Sequence, residues 1–112
     1  MKRGEIWVAA LAPHQGKEVG KQRPVLVVQT DLLNQVNHPT VIILPISSKI
    51  QPENALRFRI EHSLLTKGFG YVLIDQPRAI DAESRLKKCL GKVKLRELRE
   101  IDLHLKQVFD LV

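Results

Sequence analysis

The chain has a single cysteine, Cys89, so it forms no internal disulfide and holds no cysteine-rich metal site. Aromatic residues are scarce: Trp7, Phe58, Phe69, Tyr71 and Phe109 are the whole set. That shortage argues against a nucleic-acid surface built as an aromatic stacking platform. No apolar run approaches the roughly 18 residues of a membrane span. The longest, Val41-Ile42-Ile43-Leu44, suits a buried strand. The spacings His-x-His and His-Glu-x-x-His are absent, as is any close acidic cluster, so no metal or cofactor is expected. Gly16-Lys17-Glu18-Val19-Gly20 lacks the Gly-Lys-Ser/Thr that completes a phosphate-binding P-loop, and there is no Gly-x-Ser-x-Gly elbow. Glu5 stands where a secretory signal needs its apolar region, which predicts a protein kept in the reducing cytoplasm.

What the chain does have is positive charge. Eighteen Lys and Arg oppose 12 Asp and Glu in 112 residues, a net charge of +6. A small basic domain suits a polyanionic partner without requiring one. The length fits one domain, residues 1–112.

Short β-rich runs follow one another along most of the chain. Glu5–Leu11 is the first, and Pro24–Gln29 is apolar enough to be covered on both faces. Thr30–Asn34 reads as a capped turn or short helix. Thr40–Ile46 is a buried strand expected to end at Pro45 and Ser47-Ser48. Leu56–Glu61 alternates apolar and charged residues, as a strand with one wet face does. Gly68-Phe69-Gly70 reads as a turn before a strand at Tyr71–Ile74. Arg78–Asp81 is an edge strand, since Pro77 bars a central place, and one more short strand falls within Leu86–Val93. Apolar residues at 95, 98, 101, 105, 108 and 112 then mark an amphipathic helix. The pattern predicts a mainly β, α+β fold: a small antiparallel barrel or curled sheet with a packed C-terminal helix.

The most informative segment is Gly20-Lys21-Gln22-Arg23-Pro24. Proline pushes the residue before it out of the helical region, so Arg23 is held extended at the start of a strand. Its guanidinium is a fixed fork of donors for which two partners suit, a phosphate or a carboxylate such as Glu18. Lys17 and Lys21 add charge at the same junction. Of the four histidines, His38, His62 and His104 read as turn, surface or packing residues. His14, in the glycine-containing loop, is the one kept as a weak candidate for proton transfer. Asp75 and Asp81 flank Arg78 and read as ion-pair or capping groups.

Four ordered segments resemble the MazF/PemK toxins, endoribonucleases of bacterial toxin–antitoxin systems. They are Lys2-Arg3-Gly4-Glu5-Ile6-Trp7; Pro13-x-x-Gly16-x-Glu18-x-Gly20-x-x-Arg23-Pro24-Val25-Leu26-Val27; Pro45-Ile46-Ser47-Ser48; and Val72-Leu73-Ile74-Asp75-Gln76-x-Arg78-x-Ile80-Asp81. Leu90-Gly91-Lys92-Val93 is also similar. The resemblance implies an SH3-like barrel of the MazF/PemK/CcdB type, a homodimer that cuts single-stranded RNA without metal, and an acidic MazE-like antitoxin as partner. It implies catalytic roles for Arg23 and for Ser47, where many members have threonine. It implies RNA contacts from Gly16, Lys17, Glu18, Gly20, Lys21, Ser48, Gln76 and Arg78. Two other readings fit the same chain: a non-catalytic poison of DNA gyrase on this fold, like CcdB, and a plain nucleic-acid-binding barrel.

Overall fold

The computed structural model of the protein describes residues 1–11 and 21–112. Seven strands, β1 (Glu5–Ala10), β2 (Gln22–Val27), β3 (Thr40–Ser47), β4 (Arg57–Glu61), β5 (Phe69–Leu73), β6 (Arg78–Asp81) and β7 (Leu86–Lys92), form one antiparallel sheet. Three helices accompany them: α1 (Asp31–Asn34), α2 (Ala82–Arg85) and α3 (Leu95–Val108). The strand order is β4-β5-β3-β2-β1-β7, with β6 also paired to β3. The sheet curls into a half-barrel, and α3 packs on it through the fully buried Ile101. This is the architecture expected from the sequence.

The apolar run of β2 divides between two cores because successive strand residues face opposite sides. Leu26 joins Ile6, Leu44, Ile46, Ile60, Val72, Ile74 and Ile101 in one cluster. Val25 and Val27 join Ala9, Val41, Ile43 and Ile80 in the other. Full burial of a side chain of this size contributes about 1.5–3 kcal/mol, so a strand feeding two cores is pinned in register.

Three expectations need correction. Pro45 does not end the third strand; it lies inside β3, opposite Val25 of β2. Along the other edge of β3, β6 pairs with Thr40–Ile43 and β5 with Ile46–Ser47. Pro45 falls where one neighbour leaves and the next joins, so its missing N–H interrupts neither ladder. Phe69 and Gly70 belong to β5, not to the turn, which keeps Gly68. Gly70 is needed there because a Cβ would stand 2.6 Å from Cγ2 of Ile46. In the terminal helix only positions 98, 101 and 105 of the apolar set pack on the core; Leu95 and Val108 are exposed, and the helix stops before Val112.

Polar contacts anchor the ends. Thr30 caps α1, its hydroxyl accepting from the Leu32 N–H at 3.3 Å. Glu97, which the sequence shows only as one charge among many, is buried. Its carboxylate accepts from the Lys94 N–H at 3.0 Å and from the Glu61 N–H at 3.3 Å, joining α3 to β4. Arg3 forms a two-pronged ion pair with Asp102 of α3, at 2.5 and 3.1 Å, and donates to the Val28 carbonyl at 2.9 Å.

Candidate nucleic-acid cleft

Arg23 sits on β2 where the antiparallel ladder with β3 runs from Val27↔Ile43 to Val25↔Pro45. Carried two residues further, that register sets Arg23 across from Ser47, the last residue of β3. Both residues are half-buried, and both line two clefts. The smaller, of about 150 Å³, is closed by Gln22, Pro24, Ser48, Leu65, Thr66, Phe69 and Gly70. The larger, of about 760 Å³, is bounded by Leu11, Pro45, Leu73, Gln76, Pro77 and Arg78. Lys21 borders both. The pair therefore stands on the divide between a small pocket and a wider groove.

The charges in these walls are of one sign. Lys21, Arg23 and Arg78 contribute cations, and no Asp, Glu or His is among the described residues lining either cleft. Among the described residues no carboxylate pairs with Arg23; the ion pairs formed are Arg3–Asp102, Arg57–Asp75 and Arg59–Glu61. A half-buried guanidinium at the wall of a cleft is suited to an oxyanion.

Ser47 is also arranged for this. Its Oγ accepts a hydrogen bond from the Lys49 N–H at 3.2 Å. The hydroxyl proton is thereby left for donation into the cleft. Ser48 is exposed, and its carbonyl accepts from the Lys67 ammonium at 3.0 Å. Of the two serines, Ser47 has the hydroxyl placed by a backbone contact beside Arg23, whereas Ser48 lines only the smaller cleft.

The structure thus brings together Lys21, Arg23, Ser47, Ser48, Gln76 and Arg78 from the sequence-based set. Arg78 is partly committed already, since its guanidinium donates to the Leu11 carbonyl at 3.0 Å. His14, Gly16, Lys17, Glu18 and Gly20 lie outside the described residues. The remaining histidines do not reach the clefts: His104 packs on Phe58 at 6.0 Å between ring centroids, and Nδ1 of His62 accepts from the Leu64 N–H at 3.2 Å. Asp75 pairs with Arg57 at 2.6 Å, and Asp81 caps α2 through the Ser84 N–H at 2.8 Å. Sequence reading misses Thr66, Phe69 and Gly70. Phe69 is held edge-on to Tyr71 and beneath the Arg59 guanidinium, 4.4 Å from the ring centre. Its role is not legible in the sequence, where two flanking glycines give it the signature of a turn.

Comparison with known proteins bears on the family and the fold. The family model of the PemK-like, MazF-like toxins of type II toxin–antitoxin systems matches residues 2–109. The chain is 33% identical to Endoribonuclease MazF9 of Mycobacterium tuberculosis, over 99% of this chain and 98% of that one. It is 34% identical to Endoribonuclease MazF of Staphylococcus saprophyticus, over 91% and 85% respectively. The fold superposes on a mycobacterial endoribonuclease solved in complex with its cognate antitoxin, with a TM-score of 0.78 and 20% identity over 100% of this chain and 97% of that one. The curled sheet, the terminal helix and the match along nearly the whole sequence lead to one assignment: the chain belongs to the PemK/MazF family of toxins.

Proposed function

We propose that the protein is the toxin of a type II toxin–antitoxin system, a metal-independent endoribonuclease that cuts single-stranded RNA in the cytoplasm and so arrests translation. The observation that carries this reading is that Arg23 and Ser47 both line each of two cation-lined clefts. The endoribonuclease names of the two relatives support it.

In this reading the scissile phosphate rests at Arg23 and Ser47, and the nucleosides on either side enter one cleft each. The 2′-hydroxyl attacks the adjacent phosphorus. The P–O5′ bond breaks, leaving a 2′,3′-cyclic phosphate and a 5′-hydroxyl end. Negative charge gathers on the phosphoryl oxygens in the transition state. Donors fixed beforehand around those oxygens lower the barrier, and removing one costs about 10²–10³ in rate. Arg23 supplies charge and a rigid fork; Ser47 supplies a neutral donor. A guanidinium with a pKa above about 12 is a poor base, so Arg23 stabilises charge and does not accept the proton. His14 is the group assigned to assist proton transfer. Orientation of the attacking hydroxyl by the two clefts supplies a further part of the acceleration. Lys21, Ser48, Gln76 and Arg78, with Gly16, Lys17, Glu18 and Gly20, hold the strand.

Two partners complete the reading. An acidic antitoxin segment, matched to the cationic clefts, competes with RNA for them. A second copy of the chain covers the apolar groove of about 410 Å³ lined by Val28, Ile42, Pro77, Leu105, Phe109 and Leu111, where Ile42 is 41% and Phe109 54% exposed. Apolar surface of this kind at the third strand and terminal helix suits a homodimer.

The test is incubation of the purified protein with a long single-stranded RNA in EDTA, beside Arg23→Ala, with analysis of the product ends. Cleavage to cyclic-phosphate and 5′-hydroxyl ends by the wild type alone is the expected result. Intact RNA, or equal cleavage by the variant, overturns the proposal. Intact RNA together with trapped gyrase–DNA complexes would assign the gyrase-poison alternative.

A further inference from the structure

We propose that the exposed edge of β7 and the first turns of α3 form a second, sequence-independent contact surface for RNA, receiving the part of the strand that flanks the cleaved bond. This rests on the reading of the protein as an RNA-cutting toxin. It concerns a surface outside the two clefts.

Residues 86–99 hold six cations, Lys87, Lys88, Lys92, Lys94, Arg96 and Arg99, against one acid, Glu97. All six cations are exposed. Glu97 does not offset them at the surface: it is buried, with its oxygens engaged by the Lys94 and Glu61 N–H groups. None of the six forms an ion pair among the described residues. Cations outnumber acids along this extended edge: Glu5 of β1 is registered across from Lys92 and Glu100 follows Arg99, yet neither forms an ion pair with the six among the described residues, and β7 ends the strand order and pairs with β1 alone.

Register connects that edge to the clefts. Val8 of β1 is paired with both Pro24 of β2 and Lys88 of β7. Directly paired residues face the same side of a sheet. Lys88 is therefore on the face of Pro24, which lines the smaller cleft, two strand spacings away or about 10 Å. Two register shifts against β1, at Lys87 and Leu90, curl β7 further. A strand leaving the smaller cleft across Val8 meets Lys88 first and then the cations of the β7–α3 corner.

The chemistry favours a polyphosphate backbone as the occupant. Lysines predominate, and they contact phosphate as point charges without reading bases. No aromatic residue lies within residues 86–99 for stacking. Such a surface raises affinity for long substrates and leaves selection of the cleaved sequence to the clefts.

The test compares the wild type with the variant K88Q/K92Q/K94Q/R96Q, whose altered side chains are all exposed, after thermal unfolding has shown it folded. The probes are fluorescent, fully 2′-O-methylated single-stranded RNAs of mixed sequence, roughly 30 and roughly 8 nucleotides long, a long and a short strand for a salt-dependent backbone contact. They carry no attacking hydroxyl, so binding is measured whether or not the protein is a nuclease. Absence of cleavage in EDTA thus counts against the proposed activity, and the binding result counts for or against this surface. The variant is expected to bind the long RNA at least about tenfold more weakly and the short one within about twofold of wild type. Its log–log salt slope for the long RNA should fall by about 2–3, at roughly 0.7 for each phosphate no longer neutralised. In the wild type alone, that slope should be steeper for the long RNA than for the short one. Equal weakening for both lengths, equal wild-type slopes, or unchanged RNA binding with weakened affinity for poly-glutamate would overturn the proposal; the last would assign the surface to an acidic protein.

Discussion

A Cβ on Gly70 would stand 2.6 Å from Cγ2 of Ile46 and 3.4 Å from the Ser47 carbonyl oxygen. Glycine at 70 is what lets β5 lie close against the end of β3, and it forms a wall of the smaller cleft. Ile46 is buried, so it has no room to retreat. Gly70→Ala is expected to destabilise the fold by about 1–3 kcal/mol, the usual cost of overpacking. RNA cleavage should fall as well at temperatures where the variant remains folded. Urea unfolding alongside initial rates checks both; wild-type stability would show that β5 shifts freely.

Arg23 and Ser47 have separable roles. Arg23→Ala should lower kcat/KM by about 10²–10³. Arg23→Lys should restore only part of it, because charge returns without the planar fork. Ser47→Ala should cost more than Ser48→Ala. Ser47→Thr should keep activity, since the hydroxyl is retained and a β-branched side chain suits a strand end. Single-turnover rates on one RNA, with protein in excess, rank these variants.

The Arg3–Asp102 ion pair ties the N-terminus to α3 across 99 residues of sequence. Both side chains are about one-third exposed, at 28% and 37%. Its stabilising effect lies above that of a surface pair because of the two-pronged geometry and the added bond to the Val28 carbonyl. Arg3→Met is expected to cost about 1–2 kcal/mol in chemical denaturation. A double-mutant cycle with Asp102→Asn should show coupling between the two positions, and strict additivity would refute it.

The Arg3 N–H, bonding to Asp31 at 2.7 Å, and the Asn34 side chain, at 3.0 Å, hold the Asp31 carboxyl below its usual pKa of 3.8. Bonds from Ser84 do the same for Asp81. A carboxylate with a depressed pKa in the folded state contributes stability above its unfolded pKa. That contribution is lost as pH falls through the folded value. Stability should therefore decline below about pH 4, and Asp31→Asn should flatten the acid limb of a pH–Tm profile. An unchanged acid limb would exclude Asp31 from the transition.

Much of the fold is legible locally. Alternation and apolar runs mark all seven strands, and the three- and four-residue spacing marks α3. Two of the misreadings share one cause. Pro45 and Gly70 carry strong local turn signals, yet each is suited to its strand by a neighbour distant in sequence: β5 and β6 exchanging along β3 in one case, Ile46 packing in the other. The helix α2 has no sequence signature because four residues capped by Asp81 carry no periodicity. Similarly, Glu97 resembles any solvated charge until the turn of α3 brings it over the Glu61 N–H.

For the candidate site, the sequence by itself determined that an arginine is held extended before Pro24, that two hydroxyls stand at the end of the third strand, and that the chain is rich in cations and poor in aromatics. Those are properties of covalent geometry and composition. Only the tertiary structure decided that Arg23 and Ser47 stand together between two clefts, that Thr66, Phe69 and Gly70 wall one of them, and that Lys88 of β7 lies two strands from Pro24. Strand pairing joins residues far apart in the chain, and its register is set by burial of two cores, a collective property that no single segment encodes.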